Sequence, residues 1–178
     1  MKVTVYIATS LDGFIAREDG ALDWLPPGPG LEGEEDYGYK SLMDTVDTVV
    51  MGRHTFEKVL TLGDWHYKNK HVVVLTTHGV TIPPELADFV DVMSGPPENI
   101  VARLAVQGDR HLYVDGGKTI QEFLKAGAVH RIILTRVPIL IGHGIPLFGP
   151  LSQDILLRHV QSHAYSSGLV QSEYEVLP

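Results

Sequence analysis

An α/β fold with a central mixed, mostly parallel sheet and an antiparallel hairpin at its carboxyl end is what this chain predicts. Three observations carry that prediction. Short β-branched and apolar runs alternate with helical patterns through most of the 178 residues, which implies right-handed crossovers and parallel neighbours. The last two strand-like runs are joined by Tyr165-Ser166-Ser167 and place Val170, Ser172, Tyr174 and Val176 on one face, as a hairpin closing one sheet edge does. Twice an apolar run meets glycine, a basic residue and a threonine, at Gly52-Arg53-His54-Thr55 and at Gly116-Gly117-Lys118-Thr119. Glycine lets a strand turn tightly there into a helix.

The elements follow in order. Met1 leads directly into Lys2-Val3-Thr4-Val5-Tyr6-Ile7, a strand over 2–8. Residues 34–46 carry Tyr39, Leu42, Met43 and Val46 at helical spacing. A strand over 47–51 ends in Val49-Val50-Met51 and meets a helix over 53–61. His71-Val72-Val73-Val74-Leu75 opens a strand over 71–76, and 97–107 reads as a helix. The strand over 111–115 meets a helix over 117–126, with Ile120, Phe123 and Leu124 on one side and Gly127 as its carboxyl cap. Strands over 129–137, 155–164 and 168–177 complete the sheet. No internal repeat or second domain is visible, so residues 1–178 are expected to form one domain. Two loops stand out. Leu25-Pro26-Pro27-Gly28-Pro29-Gly30 reads as a lid or a plain connector, and Ile141–Gly149 carries glycines suited to close backbone approach.

Composition narrows the function. An apolar share of 44% and a charged share of 20% are those of a globular protein. The formal charge of −8 argues against a broad nucleic-acid or anionic-membrane surface. With no cysteine there is neither a disulfide nor a Cys-ligated zinc site. The nine histidines match no metal-ligand spacing, so no metal is expected. No long apolar run or leader-type segment is seen, so a soluble cytoplasmic protein is expected.

The two glycine turns carry the chemistry. Free N–H groups and the dipole at a helix start favour an anion such as phosphate. Gly116-Gly117-Lys118-Thr119 ends like a phosphate-binding P-loop, but Leu112 stands where that pattern needs its first glycine. ATP hydrolysis is therefore disfavoured, while a short nest of N–H groups remains able to hold a pyrophosphate. A purely structural turn is the competing reading. Arg53 can grip phosphate with its planar fork, or simply pair with Glu57 one turn on. Thr76 and Thr77 sit at a strand's carboxyl end, where open α/β sheets meet ligands, though threonines there also just start turns. Glu34, Glu35 and Asp36 suit the first helix dipole. Asp36 also shares the apolar face of Tyr39 and Met43, where a carboxyl can donate a proton or hold a heterocycle edge.

The order of motifs completes the picture. Thr9-Ser10-Leu11-Asp12-Gly13-Phe14-Ile15-Ala16 is followed by Met51-Gly52-Arg53-His54-Thr55-Phe56-Glu57, Leu75-Thr76-Thr77, Val114-Asp115-Gly116-Gly117 and Gly142-His143-Gly144-Ile145-Pro146-Leu147-Phe148. Over nearly its whole length the chain resembles the dihydrofolate reductase-like superfamily, a three-layer sandwich. Within it, the chain is most similar to stand-alone relatives of the bacterial riboflavin-biosynthesis reductase domain. The resemblance implies NADPH as cofactor. Ala8 and Ile15 would lie at the nicotinamide end, and Gly52, Arg53, His54 and Thr55 at the phosphates and adenosine side. Thr76 and Thr77 would lie near the 2′-phosphate. Gly116, Gly117, Lys118 and Thr119 would cradle the pyrophosphate, with Ile120 completing the cofactor set. Asp36, fifteen residues before the Met-Gly-Arg motif, falls at the superfamily's substrate-binding acid, and Trp24 near its mobile-loop tryptophan. Asp115 replaces the first glycine of the usual run, and no arginine answers to the one that dihydrofolate reductases use for the folate tail.

The expected activity is hydride transfer from NADPH to an imine-like carbon of a pyrimidine-type compound. By resemblance the leading substrate is 5-amino-6-(5-phosphoribosylamino)uracil. A dihydrofolate or pterin reductase is the alternative within the fold, and a non-catalytic NADPH-binding protein the alternative of another class. The resemblance also implies a homodimer, for which the apolar stretch Val137-Pro138-Ile139-Leu140-Ile141 is the candidate contact.

Overall fold

The computed structural model describes residues 1–26 and 35–178. In chain order it contains β1 (Lys2–Ser10), β2 (Phe14–Ala16), α1 (Tyr39–Met43), β3 (Thr48–Gly52) and α2 (Arg53–Leu60). Next come β4 (His71–Leu75), a single 3-10 turn (Pro84–Leu86), β5 (Val90–Met93), α3 (Pro97–Gln107), β6 (His111–Asp115) and α4 (Gly117–Lys125). The chain ends in β7 (Arg131–Val137), β8 (Ile145–Pro146), β9 (Leu157–Ala164) and β10 (Val170–Val176). These elements form two compact units, one of Met1–Thr4 with Val46–Val129, the other of Val5–Thr45 with His130–Pro178.

In the first unit the strand order is β5-β4-β3-β6-β1. β3 runs parallel to both β4 and β6, and β4 parallel to β5. Parallel strands covered on both faces need continuous apolar runs rather than alternation. Val49-Val50-Met51 and Val72-Val73-Val74 supply them, and all six are fully buried. Phe56 of α2, Leu104 of α3, and Ile120 and Phe123 of α4 are fully buried as well. α3 ends as its sequence dictates, on Gly108 at φ 106.

In the second unit the order is β1-β7-β10-β9, with β10 antiparallel to both neighbours, and β2 pairs with β8 in a separate two-stranded ribbon. The mixed sheet and its carboxyl-terminal hairpin are thus as the sequence predicts. β9 is the exposed edge. Trp24, Val137 and Leu169 form an apolar cluster here, with Tyr37, Ile139, Ile141 and Tyr165 packed against it. Val137, Ile139 and Ile141 therefore pack within the unit, while Leu140 is exposed.

The first helix is the main departure, since it covers only Tyr39–Met43 of the predicted 34–46. Tyr37 and Gly38 both adopt the left-handed conformation, at φ 55 and 79, which no helix interior tolerates. Glu34, and residues 27–30 of the proline-glycine loop, lie outside the described residues. β2, β5, β8 and the 3-10 turn were not expected, because segments of two to four residues are too short to show a period.

Candidate functional site

The site is best built from the strand ends of the first unit. Met51 pairs with Asp115 across β3 and β6, and Gly52 pairs with Leu75 across β3 and β4. The turns at Gly52, Thr76 and Gly116 therefore leave the carboxyl ends of three adjacent parallel strands, about 4.8 Å from one strand to the next. Ligands of open parallel sheets bind at such ends. The two glycine turns also interlock. A side chain on Gly52 would come to 3.0 Å from the Thr119 hydroxyl, and one on Gly116 would run into the Thr55 hydroxyl. Each helix start thus places its threonine against the other turn's glycine.

Neither start is capped by a side chain: Gly52 precedes α2 and Gly116 precedes α4 without a capping hydrogen bond. The first N–H groups of a helix have no partner within the helix, so two neighbouring anion-favouring ends lie side by side. Gly117, Thr119 and Ile120 are buried and Lys118 is exposed. Ile120 belongs to the apolar core. Arg53 stands 3.8 Å from Glu57, and the exposed His54 3.5 Å from the same carboxylate. Thr76 builds a local turn, its hydroxyl donating to the His78 carbonyl at 2.8 Å and accepting the His78 N–H at 3.0 Å. The Thr77 hydroxyl lies 3.1 Å from His78 Nδ1.

Asp115 was not among the expected site residues, yet it borders the Gly116 turn. Its Oδ1 accepts the Gly116 N–H at 2.7 Å and its Oδ2 the Tyr67 hydroxyl at 3.1 Å. Burial pushes its carboxyl above the usual carboxylate range, against the pull of those bonds. The sign of the consequence is fixed. A carboxyl raised on folding contributes stability that is complete below its unfolded value, about 3.9, and is lost as pH rises through the higher folded value. Asp115→Asn removes that loss while keeping an acceptor for Gly116. The variant is expected to gain on the wild type as pH rises above about 4, the unfolded value, read in urea unfolding across a pH series. A stability difference independent of pH would contradict this.

The second unit holds the remaining expected residues. Asp12 latches two loops, its carboxylate accepting the N–H groups of Ile141 at 3.3 Å and Gly142 at 2.8 Å. A hydrogen bond from Ser10, with the Gly142 and Ile141 amides, holds that carboxyl below its usual range. Leu147 donates its N–H to the Gly13 carbonyl at 3.0 Å, and Leu11 to that of Ile139 at 2.8 Å. The Ser-x-Asp-Gly and Gly-x-Gly-x-Pro-Leu-Phe segments, far apart in sequence, thus form one substructure. Ile15 lies within it on β2, and Ala8 on β1; both are half-buried. Trp24 is only 8% exposed, with its ring in the apolar cluster and its indole N–H without a hydrogen-bond partner. Asp36 is half-buried and caps the start of α1: one oxygen accepts the Gly38 N–H at 2.9 Å, the other the Lys40 N–H at 3.0 Å.

Among the described residues, no group of three or more His, Asp or Glu side chains is placed to hold a metal ion. Nor, among the described residues, is any helix long and apolar enough to cross a membrane.

Comparison with known proteins agrees with this architecture. The profile of the RibD C-terminal domain matches residues 1–171. The uncharacterised Bacillus subtilis protein YwjB is 37% identical over 159 residues, 88% of each chain. A crystal structure of a protein assigned to riboflavin biosynthesis in Shewanella sp. PV-4 superposes with a TM-score of 0.91 at 40% identity, covering all of both chains. Dihydrofolate reductase of Enterococcus faecalis, solved with NADP(H), shares the fold at a TM-score of 0.68 and 20% identity, covering 99% of this chain and 97% of its own. The fold is dihydrofolate reductase-like, and the family match supports a reductase. The chain belongs to the RibD C-terminal domain family.

Proposed function

We propose that the chain is an NADPH-dependent reductase of a pyrimidine-type substrate, with 5-amino-6-(5-phosphoribosylamino)uracil as the first candidate. The observation that carries the reading is the interlocked pair of uncapped helix starts at Gly52 and Gly116. Two such ends, one strand apart, suit two linked phosphates better than one. When bound, the reduced nicotinamide would supply the hydride. In this reading the backbone N–H groups that follow Gly52 and those of Gly117 and Lys118 bind the diphosphate, with Gly116 letting it approach closely while its own N–H is held by Asp115, and with Thr119 beside it. Arg53 adds a charge-assisted fork, and Thr76 and Thr77 meet the 2′-phosphate. Ala8 and Ile15 are assigned to the nicotinamide and Trp24 to the substrate side. Asp36 orients the heterocycle. Each of its oxygens already accepts one backbone N–H and keeps capacity for a donor on the substrate. The acceptor carbon of a C=N bond gains the hydride, leaving oxidised nicotinamide, and its nitrogen gains a proton from water or through Asp36. The reading carries with it a soluble cytoplasmic homodimer acting on a small molecule.

Calorimetric titration with NADPH and NADH tests the cofactor, followed by a substrate screen read as loss of reduced-nicotinamide absorbance. Arg53→Ala is expected to weaken NADPH about tenfold or more, the worth of one charge-assisted phosphate contact. Unchanged affinity would remove Arg53 from the phosphate site. Turnover with dihydrofolate but not the aminouracil would move the assignment to a folate-type reductase. Tight NADPH binding with no hydride transfer would make the chain a binding protein.

A further inference from the structure

We propose that Gln171 is a positioning residue for Asp36, acting through the Tyr37 main-chain carbonyl. The inference rests on the reading of Asp36 as the substrate-orienting acid. It starts from an anomaly, since Tyr37 is one of two non-glycine residues with positive φ among the described residues, at 55°, and Gly38 follows at 79°. Two consecutive left-handed residues hold their shape only where the surroundings determine them. Here they do. The Tyr37 carbonyl accepts the Tyr6 hydroxyl at 3.1 Å and Gln171 Nε2 at 3.0 Å. The Tyr37 N–H goes to the Glu35 carboxylate at 2.9 Å, and its ring meets Tyr165 edge-on at 4.8 Å.

The orientation of Gln171 follows from donor bookkeeping. A carbonyl only accepts, so the amide nitrogen must face Tyr37. That leaves Oε1 for the Tyr165 hydroxyl at 3.4 Å, while the nitrogen also reaches the Thr135 hydroxyl at 3.0 Å. Gln171 and Thr135 are directly opposed across β10 and β7, so the amide is anchored on paired strands rather than on a loop. The second donor is equally committed: burial drives the Tyr6 phenol far above its usual titration range, so it keeps its proton. Two strand-borne donors therefore grip the carbonyl immediately after Asp36. The turn they hold presents the Gly38 and Lys40 N–H groups that fix both Asp36 oxygens. A carboxylate three residues ahead of a five-residue helix, with strained backbone between them, has no rigidity of its own; this network supplies it.

Gln171→Leu and the near-isosteric Gln171→Glu both remove the donor to Tyr37. Each is expected to speed amide hydrogen exchange at Gly38 and Lys40 about tenfold, the equivalent of one hydrogen bond lost. They are expected to lower kcat/KM for the heterocycle by a similar factor, while NADPH affinity stays within about twofold. On an Asp36→Asn background the same substitutions should cost nothing further, because coupled residues are non-additive. Unchanged exchange at Gly38 and Lys40 in both variants overturns the proposal. So does an equal loss of turnover with and without Asp36, which marks a merely structural role. If Asp36→Asn itself keeps full turnover, the orienting role of Asp36 fails, and exchange at the two amides still reports whether Gln171 holds the turn.

Discussion

Gly116→Ala is expected to abolish NADPH binding and to destabilise the protein by roughly 2–6 kcal/mol. Two independent costs add. Gly116 sits at φ 89 and ψ 130, a region essentially reserved for glycine, and forcing an L-residue there costs about 1–3 kcal/mol. The new methyl would also lie closer than 3.0 Å to the Thr55 hydroxyl, an overlap that costs about 1–3 kcal/mol where packing cannot yield. Thr55 is on the first turn of α2, so relief means tilting that helix start away from its neighbour. That motion separates the two anion-favouring ends. Adding Thr55→Ala separates the two costs, because it removes the hydroxyl and leaves the backbone strain. The double variant should regain part of the stability in thermal or urea unfolding, but not all of it. Wild-type stability and undiminished NADPH affinity in Gly116→Ala would show that the interlock has no bearing on the ligand.

How much of this was readable in the sequence depends on how far apart the partners lie. β3, β4 and β6 are plain because a strand buried on both faces writes itself as a continuous apolar run, as Val72-Val73-Val74 does. Both glycine turns are plain for the same local reason. The first helix is overread because Tyr39, Leu42, Met43 and Val46 keep a helical period. Val46 is 2% exposed and still faces the core beyond the helix end. Periodicity reports burial, and burial continues where the helix does not. Gln171 could not have been found at all, since its partners lie 134 and 36 positions away. Nor could Asp115, whose Tyr67 partner is 48 residues distant. Asp36 stands out both by its spacing from Tyr39 and Met43 and by resemblance, but its capping of α1 needs the left-handed pair before the helix, which no propensity announces for a tyrosine. Trp24 shows the opposite limit: resemblance assigned it to a substrate, and its burial with Val137 and Leu169 is a tertiary fact.

Gly144→Ala is the second large effect, and it acts in the other unit. A side chain there would collide with the Ala16 carbonyl oxygen and come within 3.4 Å of its carbon. Both are backbone atoms, so no rotamer change relieves the overlap. The chain must instead open the β2–β8 ribbon, in which Ala16 faces Ile145 and Phe14 faces Pro146. A cost of about 2–3 kcal/mol is expected, seen as a fall in Tm of roughly 5–10 °C. Gly142→Ala is the control, because Gly142 has positive φ but open space around its added methyl. It carries backbone strain alone, about 1–2 kcal/mol, and should fall short of the Gly144 effect. The functional consequence distinguishes the units. β2 carries Ile15, assigned to the nicotinamide, so Gly144→Ala should weaken NADPH while leaving 2′,5′-ADP, which lacks that ring, bound as before. Gly116→Ala should weaken both. If Gly144→Ala instead weakened the two ligands equally, the Asp12 latch and its ribbon would be acting on stability alone, and the assignment of Ile15 to the nicotinamide would have to be abandoned.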